Sequence, residues 1–149
     1  DLAALLAGAD AAQRTAMRQF GMAFGTAYQI FDDCLDLFGT EAKAGKSLGT
    51  DLVKGKMTLP LLVLRERASE ADRHELGRLM ADWEPGSLPR VTALLRHYET
   101  LKPSRETIHQ YLDVAKRNLA ALPDSDGRRT LAMLSGYLEQ QAAALGAGF

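Results

Sequence analysis

The sequence is poor in the residues that would indicate a disulfide framework or a zinc centre. It contains one cysteine, Cys34, and three histidines among 149 residues. A single cysteine cannot form an internal disulfide, so the chain fits a reducing compartment and we expect it in the cytoplasm. The three histidines lie far apart along the chain, and their spacing indicates no metal site.

Charge of one sign and long apolar runs are also missing. The net charge is −1, which gives no reason to expect nucleic acid or an anionic membrane as a partner. No apolar run approaches the about 20 residues that span a bilayer. The hydrophobic content of 46% and the charged content of 25% are ordinary for a folded protein with a buried core.

The hydrophobic pattern predicts an all-α fold. Asp10 followed by Gln13 resembles a capping box, and apolar residues then recur at spacings of three and four as far as Phe38. No stretch shows the alternation expected of a strand, and no linker divides the chain. We predict helices at about 10–38, 58–68, 69–80, 87–101, 104–122 and 125–145, with a loop at 39–50.

Three carboxylates crowd one turn near the end of the first long helix: Asp32, Asp33 and Asp36. Carboxylates this close repel one another unless a cation lies among them. Asp32 and Asp36 share a helix face with Gln29, so they can direct oxygens at a common ion. Oxygen ligands favour Mg²⁺, Mn²⁺ or Ca²⁺ over zinc. A lone Asp-Asp-x-x-Asp is nevertheless most often a solvated helix face.

The segment after this helix adds lysines and glycines at short spacing. Lys46 and Lys56 each follow a glycine, and Asp51 lies between them. Lysine ammonium groups bind phosphate oxygens as point charges, and glycines let a backbone turn tightly beside a ligand. Acids for a metal and lysines for an anion together favour a site for a metal and a diphosphate.

These residues resemble a known family. Residues 27–36 (Ala-Tyr-Gln-Ile-Phe-Asp-Asp-Cys-Leu-Asp), the pattern Gly45-Lys46-x-x-Gly49-x-Asp51, and Gly55-Lys56-x-Thr58-Leu59-Pro60 are similar to the second aspartate-rich region of trans-prenyl diphosphate synthases. The resemblance implies an antiparallel helical bundle of the isoprenoid synthase type. It also implies Mg²⁺-dependent transfer of an allylic prenyl group to isopentenyl diphosphate, and commonly a homodimer.

The resemblance also implies a role for each residue of the motif. Asp32 corresponds to a Mg²⁺ ligand and, with Lys46, to the catalytic groups. Asp33 and Asp36 correspond to positions that support the metal through direct or water contacts, and Asp51 to one that helps hold the metal's water shell or orients the lysines. The positions that meet the allylic diphosphate are Gln29, Lys46 and Lys56.

The chain departs from the family in one large respect. The first aspartate-rich motif, which faces the second across the active site, is not found in these 149 residues. We therefore expect residues 1–149 to be the C-terminal part of a single synthase domain, with only its C-terminal helices, and to be inactive alone. The alternative is a non-catalytic partner subunit or a degenerate homologue. A terpene cyclase ranks lower, because its second metal motif usually carries Asn and Ser or Thr before a Glu.

Overall fold

The computed structural model describes residues 2–40, 45 and 47–146, and within them the chain is helical, with no strand. A single 3₁₀ turn, Pro85–Ser87, occurs in the described part of the chain. The predicted all-α fold is confirmed. The α-helices in these ranges are α1 Leu2–Leu6, α2 Ala11–Phe38, α3 Thr50–Val53, α4 Leu59–Arg67, α5 Glu70–Ala81, α6 Leu88–His97, α7 Leu101–Ala120 and α8 Asp126–Ala143.

The chain divides into two compact units, and the first comprises residues 1–29 and 107–143. The apolar stripe of α2 packs there on the apolar stripe of α7. Phe20 and Ala23 are buried against Ala115 and Leu119, and the rings of Phe20 and Phe24 stack with centroids 5.7 Å apart. The predicted capping box is confirmed: the Gln13 N–H donates to Asp10 Oδ1 at 2.8 Å, and the Asp10 N–H donates to Gln13 Oε1 at 3.1 Å.

The second unit comprises residues 30–106 and 144–149. Its core is aliphatic, and the fully buried side chains include Leu52, Leu61, Leu64, Val91 and Leu95. Helices α4 and α5 each pack against α6. An ion pair between Arg90 and Glu75, with nitrogen–oxygen distances of 2.6 and 2.7 Å, also joins α6 to α5.

The observed helices differ from the predicted ones in several places: helix α1 was not predicted, and helix α6 ends at His97 rather than near 101. The break predicted at 101–103 is wrong, because α7 already begins at Leu101 and includes Pro103 in its first turn. Proline is tolerated there, since the first-turn N–H groups have no intrahelical partner. The chain instead makes a turn at 98–100, where Glu99 has a φ of +48°. The loop predicted at 39–50 ends in the short helix α3, which the sequence analysis did not predict.

Within the described ranges, no helix combines the length and the apolar character needed to cross a membrane.

Candidate functional site

The last two turns of α2 carry the acidic motif into the interior of the second unit. Asp33 is 6% exposed and Asp36 is fully buried, whereas Asp32 is half-buried. Aspartates are rarely buried without a partner, so this is not the solvated face that such a motif most often forms. Gln29 is exposed at the end of the first unit, while the other described candidates all lie in the second.

The carboxylate of Asp36 caps the N-terminus of helix α3. Its Oδ1 accepts hydrogen bonds from the Thr50 N–H at 3.2 Å and the Thr50 hydroxyl at 2.9 Å, and its Oδ2 accepts from the Asp51 N–H at 3.0 Å. The first N–H groups of a helix lack intrahelical acceptors, and a carboxylate there also meets the positive end of the helix dipole. Asp36 therefore fastens the segment at 50–51 to α2.

Lys56 connects two carboxylates. Its Nζ lies 2.8 Å from Asp33 Oδ1 and 3.5 Å from Asp51 Oδ2, and its backbone N–H donates to the Asp51 carbonyl at 2.9 Å. The hydrogen bond to Asp33, together with the charges of both carboxylates, raises the pKa of Lys56 above its usual value. The Lys56 ammonium group thus supplies a positive charge beside two nearly buried carboxylates and stabilises their ionised form.

The contacts bring together four of the predicted site residues: Asp33, Asp36, Asp51 and Lys56. Lys46 lies outside the described residues. Over residues 2–40, 45 and 47–146, no three His, Cys, Asp or Glu side chains converge closely enough to hold a metal ion by themselves. The contacts of Asp36 are those of a helix cap, and its contribution to a metal site remains a prediction.

The structure adds residues that the sequence analysis did not assign to the site. Thr50 begins α3 and donates to Asp36 through its N–H and its hydroxyl, and because this partner lies fourteen residues upstream, no local pattern marks the residue. Gly49, which precedes it, has a φ of +75° and donates its N–H to the Asp36 carbonyl at 3.0 Å. Trp83 and Leu88 lie against Gly49, and a contact between residues this distant in sequence leaves no local signal.

Cys34 lies between the acidic residues but is a core residue. It is fully buried, and burial together with the nearby Asp33 raises the pKa of its thiol to about 12. The thiolate is the nucleophilic form of cysteine, and these surroundings disfavour it. The prediction that Cys34 is a packing residue is confirmed.

The chain matches the sequence profile of the family described as polyprenyl synthetase over residues 1–97. It is 30% identical to the short chain isoprenyl diphosphate synthase of Methanothermobacter thermautotrophicus, covering 91% of this chain and 42% of that protein. It is 31% identical to heptaprenyl diphosphate synthase component 2 of Bacillus subtilis, covering 92% of this chain and 39% of that one.

Solved structures agree. The structure of a decaprenyl diphosphate synthase from Rhodobacter capsulatus superposes with a TM-score of 0.84 at 33% identity, covering 95% of this chain and 44% of that one. A polyprenyl synthase from Caulobacter crescentus, crystallised with calcium and isoprenyl diphosphate, gives 0.83 at 31% identity, covering 91% and 42%.

The chain thus spans about two fifths of the length of these curated relatives. The profile match includes the whole acidic motif, helix α3 and Lys56, which are the residues whose contacts define the site. Sequence profile and fold agree, and the chain belongs to the polyprenyl synthetase family.

Proposed function

We propose that this chain is the C-terminal part of a trans-prenyl diphosphate synthase and forms one wall of its active site. The observation that carries the proposal is the cluster of Asp33, Asp51 and Lys56, in which two nearly buried carboxylates share one cation. Carboxylate oxygens grouped in this way are the ligands that a hard divalent cation takes, and Asp32 directly precedes Asp33 on α2.

The donor set fits Mg²⁺. The candidate ligands Asp32, Asp33 and Asp51 offer only oxygens, which suit a hard cation that completes its shell with water and phosphate oxygens. Asp36 would act on this metal indirectly, because its oxygens already accept bonds from the segment that carries Asp51. When bound, Mg²⁺ supplies Lewis-acid stabilisation to the departing diphosphate of an allylic substrate.

The basic and amide groups of the chain would bind the diphosphate itself. Lys56 neutralises Asp33 and Asp51 and, with its side chain 43% exposed, keeps access to an incoming anion. Lys46 and Gln29 are proposed to bind the same diphosphate, and Lys46 to stabilise its charge as the carbon–oxygen bond breaks. These groups hold the allylic diphosphate in place while its carbon–oxygen bond breaks and the double bond of isopentenyl diphosphate attacks the resulting carbocation; loss of a proton from the new cation then restores a double bond.

Incorporation of radiolabelled isopentenyl diphosphate tests this function. The 149-residue chain alone should be inactive with Mg²⁺ and an allylic diphosphate, because one carboxylate wall holds the metal on one side only. A chimera with the N-terminal part of the Rhodobacter capsulatus decaprenyl diphosphate synthase should be active. Asp32→Ala in that chimera should lower turnover by about a hundredfold or more, the scale expected when charge stabilisation in the transition state is lost.

Asp113→Ala is the matched control, since this aspartate is exposed on α7, and it should leave turnover unchanged. A folded but inactive chimera would contradict the proposed function. Turnover by the isolated chain would contradict the missing-wall argument, and full activity of the Asp32→Ala chimera would remove Asp32 from the site.

A non-catalytic partner subunit is the second candidate, and one comparison indicates that a similar synthase has more than one component. The similar protein of Bacillus subtilis is named as component 2 of a heptaprenyl diphosphate synthase. If this chain were such a partner, the Asp32→Ala change would leave the activity of the complex intact. We further propose a cytoplasmic homodimer for the complete synthase, to be measured by light scattering on the full-length protein.

A further inference from the structure

Trp83 lies on the connection between α5 and α6, outside the acidic motif and the lysine-bearing segment of the candidate site. It is the only tryptophan of the chain and it is half-buried. Its indole Nε1 is buried, and none of the described residues supplies it with an acceptor. A buried donor of this kind is costly and calls for an explanation. Packing, not a hydrogen bond, fixes the position of this ring.

The ring packs on Gly49. A Cβ placed on Gly49 would lie 3.5 Å from Trp83 Cζ2 and 3.2 Å from Leu88 Cδ1, so both side chains lie directly against this glycine. On the other side, the Gly49 N–H donates to the Asp36 carbonyl at 3.0 Å. Gly49 is therefore enclosed between the end of α2 and the α5–α6 connection.

The position of Gly49 determines where helix α3 begins. The next two N–H groups, those of Thr50 and Asp51, point at the Asp36 carboxylate. Asp51 in turn accepts from the backbone N–H of Lys56 and lies 3.5 Å from its ammonium group. A shift of Gly49 would therefore be passed on to both Asp51 and Lys56.

We propose that Trp83 is a positioning residue of the metal and diphosphate site. By packing on Gly49 it keeps the N-terminus of α3 on Asp36, and so keeps Asp51 and Lys56 beside Asp33. The part of this inference that concerns ligand affinity rests on the proposed function. The part that concerns the backbone at 49–51 does not.

Amide hydrogen exchange on the 149-residue chain tests the backbone part. In Trp83→Ala, the amides of Thr50 and Asp51 should exchange about tenfold faster or more, because exchange reports local opening. Trp83→Phe should restore most of the protection, and Glu84→Ala, an exposed neighbour on the same connection, should change nothing. Unchanged rates at 50 and 51 in folded Trp83→Ala would overturn the proposal, as would an equal acceleration in α8.

Calorimetric titration with Mg²⁺ and inorganic diphosphate tests the ligand part. Trp83→Ala should raise the dissociation constant by about tenfold, an amount typical of losing an outer partner of a metal site. Trp83→Phe should bind nearly as the wild type does. Saturation should also change the emission of Trp83. Equal affinity in all variants, with unaltered emission, would overturn the coupling. A wild-type chain with no affinity for this pair would instead contradict the proposed function, and the exchange rates would still decide the role of Trp83.

Discussion

Asp36 is the residue on which the geometry of the candidate site depends most directly. It is fully buried and accepts three hydrogen bonds from Thr50 and Asp51. In Asp36→Asn one oxygen still accepts, but the amide NH₂ group opposes a donor. We expect a loss of about 1–3 kcal/mol in the free energy of unfolding, the cost of leaving a buried donor unpaired. Urea denaturation followed by circular dichroism measures this loss.

The control for Asp36 is Asp113→Asn, which makes the same chemical change at an exposed position of α7. Its unfolding midpoint should not move. If Asp36→Asn were as stable as the wild type, the carboxylate would not be needed to hold the start of α3, and its burial would need another cause.

Cys34 leads to a prediction about reactivity and pH. Burial and Asp33 raise the pKa of its thiol from 9.0 to about 12. Well below pH 9.0 the thiol is mostly protonated in both the folded and the unfolded chain. Between 9.0 and about 12 only the unfolded chain ionises, so the stability that this thiol contributes is lost as the pH rises through that window.

At pH 8, labelling of Cys34 by a thiol reagent should be more than about tenfold slower in the folded chain than in guanidinium chloride, because the thiolate is disfavoured and inaccessible. Equal labelling rates would show that α2 opens readily at its C-terminal end.

At the scale of elements, the sequence predicts what is local and misses what is tertiary. The caps by Asp10 and by Ser69, which accepts from the Asp72 N–H at 3.2 Å, use partners three residues away, and both appear as sequence patterns. The cap on α3 comes from Asp36, fourteen residues upstream of Thr50, and no pattern encodes it. A helix of four residues also carries no periodicity to detect. The carboxylates of the site were therefore predictable, but the scaffold that holds them together was not.

We expect a side chain added at the start of the segment that contains α3, at Gly49, to destabilise the fold more than one added after its end, at Gly55. Gly49 and Gly55 both have positive φ values, +75° and +66°. A Cβ on Gly49 would meet Leu88 at 3.2 Å, whereas a Cβ on Gly55 would meet no described atom within 4 Å. Gly55→Ala should cost about 1–2 kcal/mol, the cost of the left-handed conformation alone. Gly49→Ala should cost a further amount of about 1–3 kcal/mol from overpacking.

This pair of variants separates backbone strain from packing, because both alanines carry the cost of the left-handed backbone conformation and only the one at position 49 is also overpacked. Denaturant unfolding of both proteins gives the difference between them. Equal losses would mean that Trp83 and Leu88 move aside readily, which would also weaken the positioning role proposed for Trp83.

For the whole molecule, the sequence motif predicts the family but does not predict a complete active site. The spacing of Asp32, Asp33 and Asp36 before Lys46, Asp51 and Lys56 was enough to identify the family, and the profile match and the superposed structures confirm it. As proposed above, this motif would hold a metal from one side only. Since the chain spans about two fifths of its relatives, we expect activity to require groups from the remaining part of such a synthase.

An exposed apolar face on α8 leads to a prediction about assembly. Met133 is 75% exposed, Leu134 45% and Tyr137 59%, and all three lie within two turns of one helix. In the 149-residue chain, we expect a second copy to cover part of this face, because burial of apolar area is favourable and association follows mass action. Light scattering after size exclusion should show a mass that rises with concentration above that of the 16.2 kDa monomer. The double variant Met133→Gln and Tyr137→Gln should shift the chain towards the monomer. The control Gln141→Ala, at an exposed polar position of the same helix, should not. A wild-type chain that stays monomeric at about 100 μM would show that this face alone does not drive assembly.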